Sequence, residues 1–157
     1  EEGRWADDRH RQVNAVIDGM VAAERFGRKK GAGFHAYPKG MQKYLDGSFL
    51  AGIVTQLPED RQPDETSIRE RLLYAQLLEA TRCWAEGVID DAGEIDLGAH
   101  LGWAFPSYLG GPAAAIDDIG ADRFLARLQV LAKTLGPRFT PPARLIAAAA
   151  DGFRFHA

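Results

Sequence analysis

The sequence predicts an all-α chain, on three observations. Apolar residues recur at helical spacing in several stretches, glycines and prolines punctuate the gaps between them, and no convincing strand ladder occurs. At 157 residues the chain is long enough for one domain with an ordinary core and short for two.

The first element runs from about Asp8 to Phe26, where Val13, Val16, Ile17, Met20 and Val21 recur on one helical face. Gly27 and the cluster Arg28-Lys29-Lys30-Gly31-Ala32-Gly33 stop it, as glycine and basic residues do at a helix C-terminus. Phe34 to Tyr37 reads as a short extended piece. From Pro38 to Asp64, Pro38, Gly40, Gly47, Gly52, Pro58 and Pro63 interrupt every pattern, so this stretch is expected to be a connection. Only Met41–Leu45 and Phe49–Val54 hint at short elements.

The strongest element starts at Ser67, which forms a capping-box spacing with Glu70. Leu73, Leu77, Ala80 and Trp84 follow at helical intervals, and Leu72, Ala75, Leu78 and Cys83 widen the apolar face. Arg71, Glu79, Arg82 and Glu86 form the opposite stripe, and Gly87 closes the helix. A shorter helix is expected from about Glu94 to Trp103, then a loop from Phe105 to Gly111. Pro112 suits a first helical position, opening a helix over Ala113–Ile119 that Gly120 closes. Phe124, Leu128, Leu131 and Leu135 share one side of the next helix, which Gly136-Pro137 ends. Pro141-Pro142 opens the last, Ala143–Ala150.

Hydrophobic residues make up 46% and charged residues 26%, close to the soluble globular average. The net charge of −3 argues against a nucleic-acid surface. No apolar run approaches the roughly 20 residues that span a bilayer. Glu1-Glu2-Gly3-Arg4 is unlike a signal peptide, and without a starting Met the chain is expected to begin inside something longer. Cys83, the only cysteine, excludes an internal disulfide and fits a reducing compartment, so cytoplasmic localisation is the default expectation.

Each candidate for chemistry also has a plainer reading. The basic glycine-rich stretch Gly27–Gly33 invites a phosphate cradle, yet phosphate loops open a helix and this one follows a helix. A turn with a solvated basic cluster is preferred, with contact to the phosphates of a nucleotide-like ligand such as CoA through Arg28, Lys29 or Lys30 as the alternative. Gly110-Gly111-Pro112 could present amides to an anion, though a tight corner bringing Phe105 and Tyr108 onto the core is preferred. His10, His35, His100 and His156 show no zinc spacing. Asp8 lies near His10, and Asp96 with His100 has the spacing of base and orienter, but a surface pair is the commoner arrangement. Cys83 reads as a small buried hydrophobe. No catalytic or metal-binding constellation is present.

Several separated stretches carry a resemblance. Met20-Val-Ala-Ala-Glu-Arg-Phe-Gly-Arg-Lys-Lys-Gly-Ala-Gly-Phe-His-Ala-Tyr37 resembles the close of the first C-terminal helical repeat of 3-hydroxyacyl-CoA dehydrogenases, with His35 in place of an aromatic residue. Ser67 to Ile89 is similar to the opening helix of the second repeat. Asp96-Leu-Gly-Ala-His-Leu-Gly-Trp-Ala-Phe-Pro-Ser-Tyr-Leu-Gly-Gly-Pro112 resembles its hallmark, with Ala104 where glycine is usual. Ile116–Gly120 and Gly136–Pro142 continue the match.

The resemblance implies a helical bundle like the C-terminal domain of that family. Residues 1–37 would be the tail of the first repeat, 38–66 a connector and 67–157 the second repeat, together one compact helical domain. It also implies a multifunctional fatty-acid β-oxidation enzyme with an enoyl-CoA hydratase domain and an NAD-binding Rossmann domain. In that family the catalytic residues belong to the Rossmann domain and the first repeat, so none is assigned here, and Glu70-Arg71 stands where the first repeat has Asn-Arg. The chain itself would hold no cofactor, NAD belonging to the whole enzyme. Its partners would be the Rossmann and first-repeat domains of the same polypeptide, a thiolase subunit, and a CoA thioester in the full-length context. Leu73, Leu77 and Trp84 are expected in the core, with Phe105, Tyr108 and Leu109 nearer an interface. An autonomous dimerisation or docking module and an acyl-CoA-binding module are the competing readings.

Overall fold

The computed structural model describes residues 8–55 and 57–156, with side chains described from residue 13 onward. It divides into two units, Glu1–Gln62 and Pro63–Ala157.

In the first unit, α1 spans Asp8–Ala22. It stops four residues before the predicted Phe26, because Glu24 turns into the left-handed region at φ 52°. Its apolar stripe is only partly covered: Val13, Ile17 and Val21 are 59%, 45% and 52% exposed, whereas Val16 and Met20 are half-buried. A 3₁₀ turn follows at Arg28–Lys30. The extended piece expected near Phe34–Tyr37 is a two-residue strand, β1 (His35–Ala36), paired antiparallel with β2 (Tyr44–Leu45). This hairpin is a local exception to the all-α pattern, its first strand in the stretch read as the tail of the first repeat and its second in the connector. Arg25 braces it, donating to Gly33 O at 2.7 and 2.9 Å and to Asp46 at 2.8 Å, with its guanidinium 4.5 Å from the centre of the Phe49 ring.

The second unit is a helical bundle of α2 (Glu65–Ala85), α3 (Ala92–Trp103), α4 (Pro112–Ile119), α5 (Ala121–Leu135) and α6 (Ala143–Ala150). The start of α2 departs from expectation. Asp64 is its N-cap, accepting from the Ser67 amide at 2.7 Å, so Ser67 sits inside the first turn. Glu70 does not reach back to complete a capping box. It binds Arg127 of α5 in a two-pronged ion pair at 2.7 and 2.5 Å. That guanidinium holds the Glu70 carboxyl below its ordinary range.

Leu77 and Trp84 are buried as the periodicity predicts, while Leu73 is half-buried at the margin of the core. Leu77 and Leu78 of α2 meet Ile116 of α4, Phe124, Leu128 and Leu131 of α5, and Leu145 of α6, all at most 4% exposed. Trp84 joins Ala80, Ile95 and Ala113 in a second cluster, with Phe153 stacked on its ring at 4.9 Å. Leu72 does not widen this face; it is 61% exposed. No helix among the described residues is long and apolar enough to cross a membrane.

Candidate functional site

The densest polar arrangement lies where α3, α4 and the C-terminal segment meet. Gly111 is the N-cap of α4 and has no side chain to offer the first amides of the helix. Asp96, reaching from α3, supplies the missing acceptor: its carboxylate takes the Ala113 amide at 2.7 Å and the Ala114 amide at 3.3 Å. A carboxylate there is favoured by the positive end of the helix dipole as well as by the hydrogen bonds. The helix start raised as an anion site is therefore occupied by the chain's own anion. Gly111 is required by this approach, since a Cβ there would overlap the Asp96 carboxyl, and its φ of 134° is a conformation that other residues avoid.

Asp96 and His100 do not form the pair their spacing suggested. The Asp96 carboxylate meets His156 instead, its Oδ2 lying 2.8 Å from Nε2. His100 faces backbone carbonyls on both sides, with Nδ1 3.1 Å from Phe105 O and Nε2 3.3 Å from Gly110 O. A neutral ring can donate to only one of them, the tautomer deciding which. His100 thus ties down the Phe105–Gly110 loop. Asp117 completes the clamp by accepting the Phe155 and His156 amides at 2.7 and 2.8 Å. The carboxylates here are consumed by helix capping and segment docking, a structural use.

The corner over Phe105–Leu109 splits the expectation made for it. Phe105 is 3% exposed and belongs to the core, which corrects its placement near an interface. Tyr108 is 84% exposed, so it does not reach the core and keeps the interface reading, while Leu109 is half-buried against the core.

The basic cluster is displayed by a built turn. Gly27 and Gly31 adopt φ 82° and 78°, and the Lys30 and Gly31 amides close the turn onto Gly27 and Arg28 carbonyls at 3.1 Å. Arg28, Lys29 and Lys30 all point to exposed positions, and Lys30 lies 3.6 Å from Glu24. Arg28 shares a groove of about 640 Å³ with Tyr37, Pro38, Gly40, Met41 and Lys43. Lys29 and Lys30 do not line it. Lys43 was not singled out from the sequence, because only the hairpin returns it to this turn.

Cys83 is half-buried on α2, less enclosed than the buried hydrophobe expected. His10 with Asp8 lies outside the described side chains. Among the described residues no three His, Cys, Asp or Glu side chains are grouped to hold a metal.

No family model matches the chain. Curated relatives do. It is 38% identical over 144 residues to the fatty acid oxidation complex subunit alpha of Shewanella frigidimarina (strain NCIMB 400). The corresponding subunit of Shewanella loihica (strain ATCC BAA-1088 / PV-4) is 35% identical over 143 residues, and that of Shewanella sp. (strain ANA-3) 36% over 146. Each alignment covers 90% of this chain, which spans 20% of the relative's length.

Proposed function

We propose that this chain, a homologue of a one-fifth segment of fatty acid oxidation complex alpha subunits, is the non-catalytic, C-terminal helical segment of a multifunctional enzyme of fatty-acid β-oxidation. The whole enzyme would be an NAD-dependent 3-hydroxyacyl-CoA dehydrogenase and enoyl-CoA hydratase, acting on CoA thioesters in the cytoplasm. The segment packs against the rest of that polypeptide and holds the catalytic half in shape, with a thiolase subunit as a further partner of the assembly. NAD belongs to the catalytic half.

The observation that carries this reading is the stripe on α1. Val13, Ile17 and Val21 stand one helical turn apart and are each about half exposed, beside a half-buried Val16 and Met20. A soluble helix with such a stripe normally buries it, and each side chain would contribute about 1.5–3 kcal/mol on full burial. Leu97 and Leu101, one turn apart on α3, are 59% and 79% exposed and extend the same account. The carboxylates of the α3–α4 corner agree with a supporting role, since they are engaged in capping and docking.

The test is sedimentation of the chain mixed with the Shewanella frigidimarina alpha subunit from which the matched segment has been deleted. A one-to-one complex is expected, weakened at least tenfold by Ile17→Asp. Two components that sediment independently would overturn the covering role, and a self-associating chain that ignores the subunit would replace it with a dimerisation module.

A further inference from the structure

The charge of this chain is unevenly placed. From Arg25 to Leu45 there are six basic residues, Arg25, Arg28, Lys29, Lys30, Lys39 and Lys43, and no Asp or Glu. This stretch contributes +6 to a chain whose net charge is −3, so the remainder carries −9. Such segregation is a physical statement about what the surface attracts. Arg25 is spent on Asp46, and Lys30 lies near Glu24. Among the described residues no ion pair forms at Arg28, Lys29, Lys39 or Lys43.

Two of these four, Arg28 and Lys43, line the same groove of about 640 Å³. That volume lies in the range of small-molecule sites. Its other walls are Tyr37, Pro38, Gly40 and Met41, so cations stand beside an aromatic ring and a thioether. The frame is held by backbone contacts: the Tyr37 amide donates to Gly31 O at 2.9 Å, and the Gly27 amide to Ala32 O at 2.8 Å. Gly33 must be glycine for the turn to close, because a Cβ there would come within 2.8 Å of the Gly27 Cα. The two cations therefore project from a braced hairpin.

We propose that this groove binds a nucleotide carrying two or more phosphates, with the phosphates between Arg28 and Lys43 and the base against Tyr37 and Met41. A guanidinium offers phosphate a planar two-donor fork and an ammonium offers a point charge, so the pair suits a polyphosphate better than a carboxylate. The Tyr37 ring offers a base a face to stack on, in a lining that is otherwise mostly polar. A concave site of this size favours a small ligand over a membrane surface. The proposal does not depend on the covering role described above.

The experiment is calorimetric titration of the whole chain with ADP at low salt, with pyrophosphate, adenosine and coenzyme A as separate arms. Saturable one-site binding of ADP is expected, with pyrophosphate weaker and adenosine undetectable. Binding of coenzyme A as tightly as ADP would identify a coenzyme as a source of the same chemistry; binding of ADP alone would identify a free nucleotide. Arg28→Glu with Lys43→Glu should weaken ADP at least tenfold, and Met41→Ala should weaken ADP while leaving pyrophosphate unchanged. Lys133→Glu, at an exposed position of α5, should leave all of them intact. Should the charge-reversed protein lose its helical circular dichroism, Arg28→Gln with Lys43→Gln must show the same loss. Failure of ADP to saturate would overturn the proposal, as would equal binding by the double variants or a preference for phosphatidylserine vesicles or duplex DNA.

Discussion

The carboxylate of Asp96 accepts the amide of Ala113 at 2.7 Å and so caps α4 from α3, a helix that ends nine residues before α4 begins. Removing it should expose how much the bundle leans on this contact. Asp96→Ala is expected to cost about 1–2 kcal/mol, the usual worth of a lost helix cap. Gly111→Ala should cost more, about 2–4 kcal/mol, because it combines a strained φ with displacement of that same carboxylate. Urea denaturation checks both; a Gly111→Ala protein as stable as the parent would contradict the cap.

Ala104 should be improvable. It ends α3 at φ 55°, ψ 47°, in the left-handed conformation where glycine is at ease and alanine is not. Ala104→Gly is expected to raise stability by about 0.5–1 kcal/mol, the left-handed strain exceeding the added chain entropy. The melting temperature should rise by a few degrees, and a fall would mean that the strain is absorbed elsewhere.

Neighbouring aromatic residues should behave oppositely. Phe105 is buried in the core, so Phe105→Ala should cost about 3–5 kcal/mol. Tyr108 is 84% exposed, and Tyr108→Ser should stay within about 0.5 kcal/mol of the parent. Its effect should appear only in association with the rest of the enzyme. Chemical denaturation of the two single variants separates these roles.

The hairpin of the first unit should loosen in acid. The Asp46 carboxyl is held down to about 2 from its ordinary 3.8, first by the Ser48 hydroxyl, then by Arg25 and the Ser48 amide. A depressed carboxyl contributes stability above its unfolded value, and that contribution disappears as pH falls through the folded one. Amide protection at Gly33, Ala36 and Asp46 should therefore decline between about pH 4 and pH 2, and Asp46→Asn should abolish that pH dependence. Protection unchanged across this window would show that the Arg25–Asp46 brace contributes nothing.

Local chemistry was legible and remote chemistry was not. Pro142 before Ala143 and Pro112 after Gly111 mark helix starts by backbone geometry alone, and α6 and α4 begin where those residues say. Asp64 and Ser67 are both good caps, so the sequence leaves the start of α2 ambiguous; Asp64, following Pro63, takes the role and Ser67 serves as its donor inside the first turn. Glu70 had a local reading in the capping box, yet its partner Arg127 lies 57 residues away. His156 reaches Asp96 across 60 residues, so the four-residue spacing of Asp96 and His100 pointed to the wrong histidine. A signal for the Asp96 cap did exist: Gly111 before Pro112 leaves helix amides without a side-chain acceptor, which demands one from elsewhere. Nothing comparable announced Lys43, because its place beside Arg28 depends on the turn of the hairpin.

The role proposed for this segment is to support catalysis without performing it. The most direct test is NADH oxidation with a short 3-ketoacyl-CoA, using the chain alone, the Shewanella frigidimarina alpha subunit lacking the matched segment, and the two mixed. No turnover by the chain alone is expected, with a several-fold gain when it is added to the truncated subunit. Turnover by the chain alone, or no gain on mixing despite a stable complex, would contradict it.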